Sequence, residues 1–169
     1  ELIYCNIGAF GDYGPYRELP GYDPLIQAFT GIIDLTGDPD GDPARVGVPM
    51  IDLGTGMWAV IGILASLQNR AVTGQGAIID NALMETGLAW QSFNFSMLEA
   101  TGIAPKRSGL RGPIIVPNTA YETLDGKIII TIGTDRQFAS FCEVMGKPEL
   151  AQNELFLHNS DRVENENLL

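Results

Sequence analysis

Histidine and cysteine are scarce in this sequence, and each shortage excludes a class of site. The single histidine, His158, excludes a zinc site built from several histidines. The two cysteines, Cys5 and Cys142, lie far apart and show no metal-ligand spacing. We interpret them as reduced, buried thiols, because nothing in the sequence supports a disulfide. We therefore expect no metal and a cytoplasmic location.

Positive charge is also rare. The sequence has ten lysines and arginines but 21 aspartates and glutamates, so its net charge is −11. This negative charge argues against binding to a nucleic acid or to an anionic membrane. It does not exclude an anionic cofactor, because a local cluster can differ from the whole. The start of the chain shows no charged segment or cleavage site typical of a secretory signal. The longest uncharged run, Leu53 to Asn69, contains Gly, Thr, Ser and Gln, which favours a buried core helix over a membrane span.

The first hundred residues alternate between strand-like and helix-like patterns. With 45% hydrophobic and 18% charged residues, the 169-residue chain is typical of a globular protein of one domain, or of one domain and part of another. The alternation predicts an α/β domain with a largely parallel sheet. Strands are predicted at Leu2–Ile7, Val46–Val48 and Ala77–Ile79, and helices from Pro24 to Ile33, from Leu53 to Asn69, and from a cap at Asp80–Asn81 to Ala100. The glycines after the first strand lack the G-x-G-x-x-G spacing, so a dinucleotide site has only weak support.

The composition changes near residue 105. Three of the ten basic residues fall within a stretch rich in glycine and proline, which we interpret as a linker. The chain is therefore predicted to consist of residues 1–104, a linker at 105–118, and a second domain at 119–169. In that domain Asp125-Gly126 separates two strand-like runs, which is a strong hairpin signal. A helix capped by Thr134 or Asp135 and a further helix from Ser160 follow.

A single carboxylate, Asp52, stands where the long helix is predicted to begin. The positive end of a helix favours the ionised form of an acid, and Gly54 and Gly56 allow another backbone or a ligand to approach closely. With backbone N–H groups nearby for an oxyanion, this setting suits a carboxylate nucleophile. The sequence Asp-x-x-Thr before an apolar helix is also an ordinary N-cap. On spacing alone, the cap is favoured.

Several motifs occur in an informative order: Gly8-Ala9-Phe10-Gly11, Pro20-Gly21-Tyr22-Asp23, Val48-Pro49-Met50-Ile51-Asp52, Thr73-Gly74-Gln75-Gly76 and Tyr121-Glu122-Thr123-Leu124-Asp125-Gly126. Together they resemble the class III CoA-transferase family (CaiB/BaiF type), and the resemblance extends from Glu1 to Leu169. Members of that family are much longer, so the resemblance implies an internal fragment. It also implies a fold: part of a Rossmann-like large domain followed by the start of a small α+β domain, in a family whose two subunits interlock.

The resemblance also implies roles for particular residues. Asp52 falls on the family's catalytic aspartate. Leu19-Pro20-Gly21-Tyr22 falls on a stretch that touches coenzyme A, and Tyr22 and Asp23 border the acyl site. The implied reaction moves coenzyme A from an acyl-CoA to a small carboxylic acid through an aspartyl-CoA thioester, without a metal. With the resemblance, Asp52 is favoured as the nucleophile, and it can also be the cap.

Two alternatives remain open at this point. Related α-methylacyl-CoA racemases carry a histidine where this chain has Tyr22, and racemisation needs two proton-transfer groups. The sole histidine here is in the second predicted domain, so transferase is favoured over racemase. An inactive fragment that acts as a binding or assembly module is the other alternative. Within the transferases, Ser108–Pro113 lacks the glycine run of formyl-CoA transferases, which argues against formyl or oxalyl specificity.

Assembly is predicted from the two long apolar helices. Leu53–Asn69 and Asn81–Ala100 carry few charged residues on any face, which predicts burial on nearly all sides. Surface that the chain itself does not cover should be covered by another chain. We therefore expect a homodimer or a larger assembly.

Overall fold

A computed structural model describes all residues from 1 to 169. The chain divides into two compact units, Glu1–Arg107 (unit 1) and Ser108–Leu169 (unit 2). The division falls within the stretch 105–118 that the sequence predicts to be a linker. Each unit combines helices with a two-stranded sheet, so the mixed α/β class is confirmed.

Unit 1 is built around a pair of parallel strands, as the sequence predicts. Strand β1 (Ile3–Gly8) pairs with β2 (Ala77–Ala82) in a register that runs from Ile3 opposite Ala77 to Gly8 opposite Ala82. Parallel strands require a long crossover connection, and here it contains three helices. These are α1 (Asp23–Phe29), α2 (Ile32–Leu35) and α3 (Met50–Thr73), and β2 is followed by α4 (Leu83–Trp90) and α5 (Ser92–Thr101).

Three predicted boundaries in unit 1 are wrong. The helix expected from Pro24 is interrupted at Gly31, whose φ of 79° is left-handed and separates α1 from α2. Asp80 and Asn81 do not cap a helix, because they continue β2 by pairing with β1. The single helix expected to reach Ala100 is broken at Gln91, where φ is −86° and ψ is 2°.

The predicted strand at Val46–Val48 is also absent. Instead, Val46 packs against a buried cluster formed by Ile26, Ile32, Ile51 and Leu83. This cluster joins α1, α2, the start of α3 and the start of α4. It therefore fixes the beginning of α3 relative to the segment that precedes it.

Helix α3 buries only a narrow face within the chain. Its buried residues are Ile51, Gly54, Thr55 and Ala59, while Leu53, Met57 and Leu64 are each about 60% exposed. The predicted burial on nearly all sides is therefore wrong for the chain by itself, because α1, α4 and the sheet contact one side of the helix only. Helix α3 has 24 residues, and an 18-residue window of it has a mean hydropathy of 1.6, so it is long and apolar enough to cross a membrane by length and composition alone. Core helices meet the same criterion, and a core helix is the interpretation that the sequence favours.

Unit 2 contains the predicted hairpin. Strand β3 (Asn118–Glu122) pairs with β4 (Lys127–Thr131) in antiparallel register across the Asp125-Gly126 turn. Helix α6 (Asp135–Val144) follows, then a 3₁₀ helix (Pro148–Gln152) and α7 (Asn159–Glu164). Of the two residues predicted to cap α6, Thr134 is the cap, and it forms a capping box with Gln137.

One fully buried arginine ties unit 2 together. Arg162 donates from Nε to the Val116 carbonyl at 2.8 Å, from Nη1 to the Phe156 carbonyl at 3.0 Å, and from Nη2 to Asp135 Oδ1 at 2.9 Å. Its guanidinium also lies 4.4 Å from the ring centre of Phe138. A buried charge is tolerated when its donors are satisfied in this way.

Candidate active site

A cleft of about 300 Å³ opens in unit 1 beside the start of α3. Three segments line it: residues 22–24 at the start of α1, residues 45–49 immediately before α3, and Asp52 in the first turn of α3. The cleft therefore brings together three of the residues that the sequence singles out, namely Tyr22, Asp23 and Asp52. The predicted coenzyme A residues Leu19, Pro20 and Gly21 come directly before it in sequence and do not line it.

Asp52 occupies the third position of α3, and its side chain is exposed. The helix starts at Met50 with Pro49 in the N-cap position, where no side chain supplies a cap. The Asp52 carboxylate accepts no hydrogen bond from any backbone N–H. The interpretation of Asp52 as the N-cap is therefore wrong, because the helix begins at Met50, three residues earlier than the spacing suggests.

The cap comes instead from Asp23, at the start of α1. Its Oδ2 accepts hydrogen bonds from the N–H of Ile51 at 2.7 Å and from the N–H of Asp52 at 3.2 Å. Asp23 is 4% exposed, so these bonds are sheltered from water. The first N–H groups of a helix have no partner within the helix, and here two of them are occupied by a carboxylate. They are not free to hold an oxyanion, which the sequence had suggested.

Gln27 completes the arrangement one turn further along α1. Its Nε2 donates to Asp23 Oδ1 at 2.5 Å, and its Oε1 accepts from the N–H of Val46 at 2.9 Å. Gln27 is 1% exposed. Sequence reasoning missed this residue, because its partner lies 19 residues away and no local pattern marks the pair.

The electrostatics of the cleft are dominated by the two carboxylates. Although Asp52 is exposed, the loss of water on the side that faces the cleft, and then the negative charge of Asp23, raise the pKa of Asp52 above its ordinary value. The sequence had suggested that the helix N-terminus would favour the ionised form. In the structure that end of the helix already carries the charge of Asp23. Arg45 is the one cation that lines the cleft, and it makes no hydrogen bond or ion pair.

The two glycines after Asp52 have different surroundings. A β-carbon at Gly54 would lie 2.9 Å from Cζ2 of Trp90 and 3.0 Å from Cγ2 of Thr86, so Gly54 allows α3 to approach α4 closely. Beside it, Thr55 and Thr86 share a buried hydroxyl hydrogen bond of 2.8 Å. A β-carbon at Gly56 would meet nothing within 4 Å. The close approach at Gly54 is therefore made by a helix and not by a ligand.

Comparison with known proteins decides the family. All of residues 1–169 match the family model described as CoA-transferase family III. This chain belongs to that family. The resemblance of the sequence to class III CoA-transferases is thereby confirmed.

Two curated relatives and one solved structure illustrate the similarity. The chain is 39% identical to acetyl-CoA:oxalate CoA-transferase from Acetobacter aceti, over 100% of this chain and 44% of that protein. It is 37% identical to succinyl-CoA:glutarate CoA-transferase from Homo sapiens, over 98% of this chain and 38% of that protein. It superposes on a CaiB/BaiF family protein from Brucella suis with a TM-score of 0.79 and 42% identity, covering 99% of this chain and 44% of that one. The chain thus spans less than half the length of these relatives.

Proposed function

We propose that the full-length protein transfers coenzyme A from an acyl-CoA to a carboxylic acid, and that Asp52 is the nucleophile. One observation carries the assignment of Asp52: its carboxylate lies in a cleft, in the first turn of a helix, without a hydrogen-bond partner of its own. A carboxylate that is paired or capping would have to be released before it could attack. Family membership and the names of the relatives support the reaction class.

The first half of the reaction loads coenzyme A onto the protein. A carboxylate oxygen of Asp52 attacks the thioester carbonyl of the donor; the C–S bond breaks, coenzyme A leaves as its thiolate, and a mixed anhydride remains on Asp52. The thiolate then attacks the Asp52 carbonyl of that anhydride and expels the donor acid. The product is an aspartyl-CoA thioester. Dividing one acyl exchange between two covalent steps is the general advantage of nucleophilic catalysis.

The second half unloads coenzyme A onto the acceptor. A carboxylate oxygen of the acceptor attacks the thioester carbonyl at Asp52, which forms a second anhydride and releases the thiolate. The thiolate attacks the acceptor's carbonyl, forms the new acyl-CoA and returns Asp52 as a free carboxylate. No net proton or electron is consumed, so the scheme needs no metal or redox group. Leu19, Pro20, Gly21 and Tyr22 are proposed to contact coenzyme A, and Tyr22 and Asp23 to border the acyl group.

The acceptor is proposed to be a dicarboxylic acid. Oxalate, glutarate and mesaconate all appear in the names of relatives, and all three carry two carboxylates. Arg45, which has no partner within the chain, is a suitable group for the second carboxylate. Oxalate is one of the proposed acceptors although Ser108–Pro113 lacks the glycine run, because a relative that is 39% identical is named for oxalate.

The racemase alternative is less well supported. His158 belongs to unit 2, where its Nδ1 lies 3.2 Å from Asp135 Oδ2, and Tyr22 stands in the cleft. Tyrosine is a weak acid–base group at neutral pH.

We also propose a cytoplasmic homodimer, as the sequence suggests. The exposed apolar side chains of α3 support a further contact surface.

The proposal is tested by incubating the full-length protein with succinyl-CoA and measuring its intact mass. We expect a covalent coenzyme A adduct that maps to the peptide containing Asp52. The variant Asp52→Asn should form no adduct and lose transfer to glutarate or oxalate. Asp40→Asn, an exposed loop carboxylate, is the matched control and should behave as wild type. An adduct that persists in Asp52→Asn, or maps to another residue, would refute the assignment.

A further inference from the structure

The start of α3 depends on a buried carboxylate from another helix. Asp23 binds the N–H groups of Ile51 and Asp52 with one oxygen and the side chain of Gln27 with the other. No cation pairs with it: the structure gives Asp23 no salt bridge, and all its partners are amides. A buried carboxylate without a cation is costly, so its placement here calls for a reason beyond packing.

The hydrogen bonds form one continuous chain through the cleft wall. They run from the N–H of Asp52 to Asp23, from Asp23 to Gln27, and from Gln27 to the N–H of Val46. The two segments that line the cleft, residues 45–49 and the first turn of α3, are therefore both attached to α1. Movement of Asp23 would move the backbone that carries the Asp52 side chain.

The charge of Asp23 also acts on the reaction that Asp52 is proposed to perform. Asp52 is negative before attack and uncharged once it is acylated. Repulsion by Asp23 therefore opposes the ionised starting state and disappears in the covalent intermediate. Interactions that differ between the ground state and the later states change the rate, whereas uniform ones do not.

We propose that Asp23, oriented by Gln27, is a positioning residue for Asp52: it fixes the first turn of α3, and its charge favours acylation of Asp52. The inference rests on the proposed function. Asp23 itself does not react, because both of its oxygens are occupied. Tyr22 and Arg45 are the other titratable residues that line the cleft.

Two variants separate the effect of the hydrogen bonds of Asp23 from the effect of its negative charge. In Asp23→Asn, the new amide N–H₂ faces Gln27, so Gln27 must rotate and present its own N–H₂ to the N–H of Val46. One pair of donors is then left facing each other. In the double variant Asp23→Asn with Gln27→Glu, the carboxylate of residue 27 accepts from both residue 23 and Val46. The hydrogen-bond chain is restored, with the charge moved one helical turn away.

The experiment measures adduct formation from succinyl-CoA, and kcat/KM against pH, in the full-length protein. For Asp23→Asn we expect kcat to fall by roughly 10²-fold, the cost of a small misplacement of a reacting group, with KM changing less. The acid limb of kcat/KM should move to lower pH, because the charge that opposes ionisation of Asp52 is gone. The double variant should regain most of kcat while its acid limb stays at lower pH than wild type. Asp40→Asn should match wild type in both.

The outcomes also distinguish this inference from the proposed function. If wild type forms the adduct on Asp52 and Asp23→Asn forms it equally fast, the positioning role is refuted and the nucleophile stands. If the double variant recovers its thermal midpoint but not kcat, restored hydrogen bonds do not position Asp52, and the inference is again refuted. If wild type forms no adduct, the proposed function has failed first.

Discussion

Replacing Gly54 and Gly56 separately by alanine tests how tightly α3 must approach α4. Both glycines lie inside α3, where alanine is favoured over glycine by about 1 kcal/mol. Gly56→Ala should therefore stabilise the protein by about that amount, because a β-carbon there meets nothing within 4 Å. At Gly54 the same gain is opposed by contacts of 2.9 Å with Trp90 and 3.0 Å with Thr86. Overpacking of this kind costs about 1–3 kcal/mol.

The two substitutions are chemically identical, so their difference isolates the helix contact. We expect Gly54→Ala to range from neutral to about 2 kcal/mol less stable than wild type, and to fall about 1–3 kcal/mol below Gly56→Ala. Urea unfolding followed by circular dichroism gives the midpoints, which convert to free energies through the m-value. Transfer activity should fall in Gly54→Ala and not in Gly56→Ala, since only Gly54 sets the position of the turn that carries Asp52.

Equal stabilisation by both substitutions would contradict this reasoning. It would mean that Trp90 and Thr86 move aside without cost and that the packing of α3 on α4 is loose. An unchanged stability in Gly56→Ala would point instead to an unseen neighbour at that position in the full-length protein.

Two further predictions concern unit 2. Arg162→Met should destabilise this unit by about 2–6 kcal/mol, because the buried Val116 and Phe156 carbonyls lose their donor and each unsatisfied buried acceptor costs about 1–3 kcal/mol. Hydrogen exchange of β4 measures the loss, and wild-type protection would count against it. Asp135 accepts hydrogen bonds from His158 and Arg162, and these lower its pKa, the bond from His158 more than the bond from Arg162. The ionised Asp135 therefore stabilises the folded state fully above the pKa it has in the unfolded state. This stabilisation disappears as pH falls through the lower pKa of the folded state. In Asp135→Asn, the thermal unfolding midpoint should depend less on pH between about pH 5 and 2 than it does in wild type. If the midpoint of the variant falls with acid as steeply as that of wild type, another group is responsible.

The elements that the sequence predicts well are those with local signals. Asp125-Gly126 marks the hairpin because few residues adopt its turn, and Thr134 marks the start of α6 because its capping partner is three residues away. The end of β2 depends on β1, more than 70 residues earlier, so the cap-like pair Asp80-Asn81 is misleading. The pairing of β2 with β1 therefore overrides the local preference of Asp80 and Asn81 for a helix cap.

The candidate site divides in the same way. Asp52 and its helix can be found from the sequence, because an acid before an apolar run and the family motifs both point there. Its role as a cap is mispredicted, since the true cap, Asp23, lies 29 residues earlier and is recognisable only once α1 has folded against α3. Gln27 carries no signal at all. The supporting residues of a site are set by tertiary contacts, which one sequence does not display.

The direct passage from α3 into β2 constrains how this chain can vary in length. Only residues 74–76 separate the helix from the strand, with Gly74 left-handed at the C-cap. Each residue of a helix turns the chain by about 100°, so a single deletion within α3 would rotate Asp52 out of the cleft while the far end stayed attached to the sheet. The exposed loop at residues 38–43 has no such constraint. We therefore expect insertions and deletions to be tolerated in that loop, and the residue count from Asp52 to Gly74 to be constant.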